Sequence, residues 1–162
     1  MDKIIAVAAV RARLPGMTTP PLPTVPVTTD AELTERWKGL LTLGGQPVRR
    51  SLFLTWLRAD GTMVPLCVPV EDLDAEPDRL AIGNLVQLHD VVAESEGADR
   101  TELHLAMCLE RRGPAGLSPG DDAWVSALES VLRHRDGLDC SLHVGNGHTV
   151  VVVMPRRSWP AA

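Results

Sequence analysis

The chain has no tyrosine, one phenylalanine and only two lysines among its 16 basic residues. The other 14 are arginines, and with abundant Ala, Gly, Pro and Val they read as GC-rich, actinobacterial-type coding. Cysteine is scarce. Cys67, Cys108 and Cys140 are odd in number and lack Cys-x-x-Cys spacing, which argues against a disulfide framework and suits reduced thiols in a cytoplasmic protein. No apolar run is long enough to span a membrane, so a membrane partner is not expected. Excess positive charge is missing too. A formal net charge of −5 disfavours nucleic acid as a general partner. The arginine pairs Arg49-Arg50, Arg111-Arg112 and Arg156-Arg157 are scattered rather than gathered in a stripe. P-loop and dinucleotide fingerprints are absent, and Ser51, Ser141 and Ser158 lack the Gly-x-Ser-x-Gly context of a nucleophile elbow.

What is present suits one domain: 162 residues, 44% hydrophobic and 23% charged. Residues 1–28 read as an N-terminal extension and proline-rich arm, 29–155 as a single domain, and 156–162 as a tail. Ile4–Val10 is too short and too closely flanked by charge for a secretory signal. Met17 opens a natural start, which would make residues 1–16 an upstream extension. Pro15, Pro20, Pro21, Pro23 and Pro26 remove backbone donors and favour an extended tether.

Periodicity predicts the elements. Thr29 and Glu32 form a capping box, and Leu33, Trp37, Leu40 and Leu41 share one helical face, ended by Gly44-Gly45. The stretch 50–58 is β-rich and apolar on both faces, so it should be a covered strand. Asp60-Gly61 signals a two-residue turn into a return strand, 63–70. Pro65 and Pro69 have the same parity, which places that strand at a sheet edge. Met63, Pro65, Cys67 and Pro69 then line an edge offered for interaction by strand addition. A helix over 77–94 carries Leu80, Leu85, Leu88 and Val92. A strand over 102–109 sets Leu103, Leu105, Met107 and Leu109 against His104, Ala106 and Cys108. A helix over 118–135 buries Trp124, Ala127, Leu128, Val131 and Leu132, and a hairpin joins 139–144 to 148–154 through Gly145-Asn-Gly147. The expected fold is α/β (α+β): a mixed sheet of about five or more strands packed by about three helices, in the order α-β-β-α-β-α-β-β.

Polar residues offer few sites. His104 and His143 fall one residue out of phase with the apolar set and could face each other across neighbouring strands. His89 reads as a satisfied histidine at the core edge. Glu71, Asp72, Asp74 and Glu76 make an acidic loop without the ligand order of a calcium site. The stretch Cys108–Asp122, CLERRGPAGLSPGDD, has an ordinary reading as well. Cys108 ends a strand, Glu110, Arg111 and Arg112 form a solvated charge cluster, and Ser118 caps a helix. Pro119 takes its first position, and Asp121 sits near the positive end of its dipole. On that basis Ser118→Ala should cost about 1 kcal/mol, and Asp121→Asn a few tenths to about 1 kcal/mol.

The same stretch resembles the RadC-like branch of the JAB/MPN metalloprotease-like fold. In that family a strand leads to His-x-His, a Pro/Gly-rich loop, and Ser-x-x-Asp opening a helix. The histidines and the aspartate hold zinc, and an upstream glutamate handles the proton. The resemblance covers roughly residues 50–154, but its specific part is Cys108–Asp122. Ser118-Pro-Gly-Asp121 matches Ser-x-x-Asp. The usual separation then puts Glu110 and Cys108 at the two histidine positions, and neither is histidine.

The resemblance therefore implies an MPN-like domain whose site is degenerate. A silent module acting on a protein partner, or on a second copy of itself, needs neither metal nor other cofactor. The alternative is a weak metal-dependent hydrolase or peptidase whose zinc is held by Cys108, Glu110 and Asp121. Three anionic ligands would lower the ion's effective charge and make its bound water less acidic.

Overall fold

The computed structural model describes residues 25–41, 47 and 49–160. The expected extension 1–16, most of the proline-rich arm and the Gly44-Gly45 helix end lie outside the described residues.

Helix α1 spans Asp30–Leu41. Thr29 caps it, its hydroxyl accepting the Glu32 N–H at 3.1 Å, while the Glu32 carboxylate reaches back to the Thr28 N–H at 2.9 Å. The box thus closes one residue earlier than the sequence suggests. Strands β1 (Ser51–Leu57) and β2 (Met63–Val70) follow, then α2 (Arg79–Glu96) and β3 (His104–Glu110). Helix α3 (Pro119–Leu128) runs on as a π-helical segment, Glu129–Arg135, before β4 (Cys140–Gly145) and β5 (Val150–Met154).

The strands form one mixed sheet in the order β2-β1-β3-β4-β5. All neighbouring pairs are antiparallel except β3 with β4. Helices cover both faces, which is why β1, β3 and β4 read as nearly continuous apolar runs. One face carries Leu52, Leu54, Trp56, Leu105, Met107, Leu109, Leu142 and Val144 beneath α2 and α3. The other carries Leu57, Met63, Ala106 and Cys108 beneath Leu33 and Trp37 of α1. Trp56 and Trp37 are fully buried, one on each side. The side beneath α1 is the more polar: His104, Ser141 and His143 are also fully buried there.

Several expectations need correction. Leu80 is 84% exposed, and the buried face of α2 is Ile82, Leu85, His89, Val92 and Ala93. The cause is helical phase: at roughly 3.6 residues per turn Leu80 falls opposite Leu85, His89 and Val92, in the first turn where Asp78 accepts its N–H at 3.0 Å. The first hairpin closes through three residues, because Arg58 N–H meets the Thr62 carbonyl at 2.8 Å across Ala59-Asp60-Gly61. The packed domain also extends past both expected boundaries. Val27 is buried, and Arg156 and Trp159 pack over the α1 face.

Strand β2 does lie at a sheet edge, yet its residues do not make an open docking strand. Met63 is buried. Pro65 sits where pairing slips between Thr55–Cys67 and Leu57–Met63. Pro69 pairs in register with Phe53, which works because its missing N–H points away from β1. The two prolines strip donors from the outer edge, a guard against strand addition. The opposite edge, β5, reads Val-Val-Val-Val-Met with neither proline nor charge.

Gly61 pins the arm to the hairpin. Its φ is +86°, its carbonyl accepts the Val27 N–H at 2.8 Å, and a Cβ there would stand 2.7 Å from the Val27 oxygen. Gly61→Ala is therefore expected to cost about 1–3 kcal/mol in urea unfolding, through strain and steric conflict. Gly116→Ala is the control. Its φ is +77° but nothing lies within 4 Å of the added methyl, so strain acts alone. Equal losses at the two sites would show that the Val27 contact contributes nothing.

Candidate functional site

The loop from Glu110 to Asp121 is organised by Arg111, which is 4% exposed. Its Nε donates to both Asp121 carboxylate oxygens at 3.1 and 3.0 Å, and Nη2 reaches Oδ2 at 2.8 Å. The remaining donors close the loop on itself: Nη1 meets the Pro114 carbonyl at 2.8 Å and Nη2 the Gly116 carbonyl. Gly113 and Gly116 take positive φ so that this path can wrap the guanidinium. Asn146 Nδ2 adds a tie from the β4–β5 loop to the Gly113 carbonyl at 3.1 Å.

Asp121 is fully buried. Its Oδ2 also accepts the Ser118 N–H at 2.9 Å and the Ser118 hydroxyl at 2.8 Å. Ser118 is the N-cap of α3, in a capping box with Asp121. Its hydroxyl hydrogen goes to the carboxylate rather than serving the backbone alone. Burial opposes ionisation of Asp121, but the hydrogen bonds from Arg111 and Ser118 outweigh it and hold the carboxyl below its ordinary range.

Cys108 and Glu110 stand on the α1 side of β3, with Gly145 of β4 alongside. The Cys108 sulfur would lie 3.7 Å from a Cβ at Gly145, and Glu110 pairs in register with Gly145 itself. Burial pushes the Cys108 thiol well above its usual value, with Glu110 adding to it, and burial also raises the Glu110 carboxyl. Among the described residues no group of three or more His, Cys, Asp or Glu side chains is placed to hold a metal ion. The solvated cluster expected at 110–112 is wrong for two of its members: Glu110 and Arg111 are buried, and only Arg112 is exposed. Sequence reading missed Arg111. Its one signal was a buried-strand register running straight into a Gly/Pro loop with an acid ten residues on.

A second polar cluster lies under α1. Ser141 Oγ and His104 Nε2 are 2.8 Å apart, and His104 Nδ1 is 3.1 Å from Asp139 Oδ2, in contact but off the line of a good hydrogen bond. Arg156 clasps Asp139 through Nε at 2.9 Å and Nη2 at 2.7 Å, and its backbone N–H reaches Asp30 at 3.1 Å. His104 and His143 share this face but do not oppose each other. His143 pairs with Cys108, while Ser141 sits between the two histidines. His143 Nε2 meets the Thr34 hydroxyl at 2.8 Å, and that hydroxyl donates to the Asp30 carbonyl. Nε2 therefore carries the hydrogen, leaving Nδ1 a buried acceptor without a partner. His89, on the opposite face, is satisfied as expected, accepting from Trp56 Nε1 at 3.2 Å and lying 2.8 Å from the Arg100 carbonyl.

Each arginine pair divides its work. Arg111 and Arg156 hold carboxylates in the fold, and Arg50 is half-buried, whereas Arg49, Arg112 and Arg157 are exposed. The acidic loop after β2 is exposed at Glu71, Asp72, Asp74 and Glu76, and the Asp74 carbonyl accepts Trp124 Nε1 at 2.9 Å. Among the described residues no helix is long and apolar enough to cross a membrane. No protein-family model, curated protein or solved structure matches the chain.

Proposed function

We propose that the chain is a degenerate, RadC-like MPN domain that binds another protein and performs no metal-dependent hydrolysis. Arg111 carries this reading. Its guanidinium holds the Asp121 carboxylate, at the position the resemblance gives to a zinc ligand, through Nε and Nη2. A fixed cation thus neutralises the one family ligand that survives. The other two positions fare no better, because metal binding needs deprotonated ligands and burial favours the protonated forms of Cys108 and Glu110. For the binding role the support is the unguarded β5 edge, with outward Val152 at 39% exposure.

Elemental analysis of tag-free protein after gel filtration tests the silent half. The expected zinc content is far below one ion per chain. Stoichiometric zinc that Cys108→Ser or Asp121→Asn releases would overturn it in favour of the hydrolase. Sedimentation over a range of concentrations tests the binding half, taking a second copy as the simplest partner. Self-association that Val152→Lys removes would place that contact at β5. A wild type that stays monomeric would leave a different protein as the partner.

A further inference from the structure

The polar cluster under α1 has the connectivity of a nucleophilic catalytic triad. Histidine Nε2 faces a serine hydroxyl, Nδ1 faces an aspartate, and recognition rests on geometry and roles rather than sequence position. We propose that Ser141, His104 and Asp139 form an acyl-transfer centre that the C-terminal strap, residues 155–159, holds shut. The centre is independent of the Cys108–Asp121 loop, since His104 and Glu110 stand at opposite ends of β3, roughly 20 Å apart at strand rise. Either reading can fail alone.

The parts fit the roles. Asp139 Oδ2 lies 3.1 Å from Nδ1, and once aligned with it would hold the tautomer whose Nε2, 2.8 Å from Ser141 Oγ, receives the hydroxyl hydrogen. In the reaction Ser141 Oγ bonds to the carbonyl carbon of an ester while its proton passes to His104 Nε2. The tetrahedral adduct expels the alcohol, which takes that proton from His104. Water, deprotonated by the same nitrogen, then cleaves the acyl-serine to the acid and restores Ser141. Atoms and electrons balance with no further reagent. The oxyanion needs a donor that does not leave with the strap, and among the described residues Trp37 Nε1 of α1 is a buried N–H without a partner on this face. Ala106, which pairs in register with Ser141, and Trp37 and Trp159 on the same face are apolar, which points to small apolar acyl esters.

The strap is what closes the centre. Ser141 and His104 are fully buried. The Trp159 ring lies 6.1 Å from the His104 ring, and Arg156 stacks over Trp159 at 4.9 Å while clasping Asp139. Arg156 therefore connects the lid to the triad's own acid. Displacing Trp159 uncovers His104 and frees one side of Asp139.

A small alkyl fluorophosphonate is the probe, since it bonds Ser141 Oγ to phosphorus, releases fluoride and leaves the proton on His104. Labelling is read as the mass of the peptide bearing Ser141, with the fold of each full-length variant checked by circular dichroism. Trp159→Ala and Arg156→Gln are expected to label at least tenfold faster than wild type. Ser141→Ala should not label, and adding His104→Gln to Trp159→Ala should abolish the reaction. Three results would overturn the proposal. Absent labelling in both folded strap variants would mean a structural network only, and labelling that survives His104→Gln would mean an ordinary exposed hydroxyl. Loss of the fold in both variants would show that the strap is not a lid.

Discussion

Arg111→Ala should lower stability by about 3–5 kcal/mol, the usual cost of stranding one partner of a buried ion pair. Asp121 would be left fully buried with its carboxylate held only by Ser118. The carbonyls of Pro114 and Gly116 would lose their donors as well. At the usual roughly 2–4 °C per kcal/mol for a chain of this size, the melting point should fall by about 6–20 °C. Asp121→Asn is expected to cost at least about 2 kcal/mol, above the dipole-only figure of at most about 1 kcal/mol, since the guanidinium would then be the uncompensated charge. The pair itself is another matter. Arg111→Met with Asp121→Leu removes both charges together and should recover much of the loss, giving a large coupling in the double-mutant cycle. Additive losses would show that the two side chains act separately. That outcome would also remove the argument that Arg111 stands in for a metal.

How far this was legible depends on whether a residue's role is local. The cap at Ser118, the burial of Trp124, Ala127, Leu128, Val131 and Leu132 and the coverage of β1 on both faces follow from spacing alone, because helical and strand periods fix which side chains share a surface. The edge position of β2 was readable from Pro65 and Pro69, since proline has no donor for a second neighbour. Arg111 was not. Two adjacent arginines after a strand look solvated, and only the wrap of the Gly113–Gly116 loop turns one of them inward. The Ser141–His104–Asp139 arrangement was equally hidden, because His104 lies on β3 and the other two at the start of β4. A parallel register between strands distant in sequence brings them together. The strap escaped for the same reason: Arg156 reaches Asp30, at the far end of the domain's sequence.

Acidification should destabilise the protein before Asp121 and Asp139 titrate, and the buried histidines set that window. His143 is fully buried among Thr34, Asp30 and His104, and burial pulls its pKa down to about 4 from 6.5. Between those values the unfolded chain binds a proton that the folded chain refuses, so stability rises with pH there. The contribution is complete above pH 6.5 and lost as pH falls toward 4. At 1.36 kcal/mol per unit, the full span is worth about 3 kcal/mol. His104, facing Asp139, Arg156 and Asp30, is depressed by burial in the same direction, as is His89 on the other side of the sheet. Glu110 pulls the other way, because burial raises its carboxyl and favours the folded state in acid. Asp121 and Asp139 sit below the ordinary 3.8, so their loss comes only in stronger acid. Urea midpoints taken from pH 7 down to pH 4 should therefore fall steadily. In His143→Gln the fall should be shallower by about 3 kcal/mol over the same range, while Glu110→Gln steepens it. A wild-type profile that stays flat down to pH 4 would mean that His143 is protonated in place, with the α1 face opening to water to admit the charge.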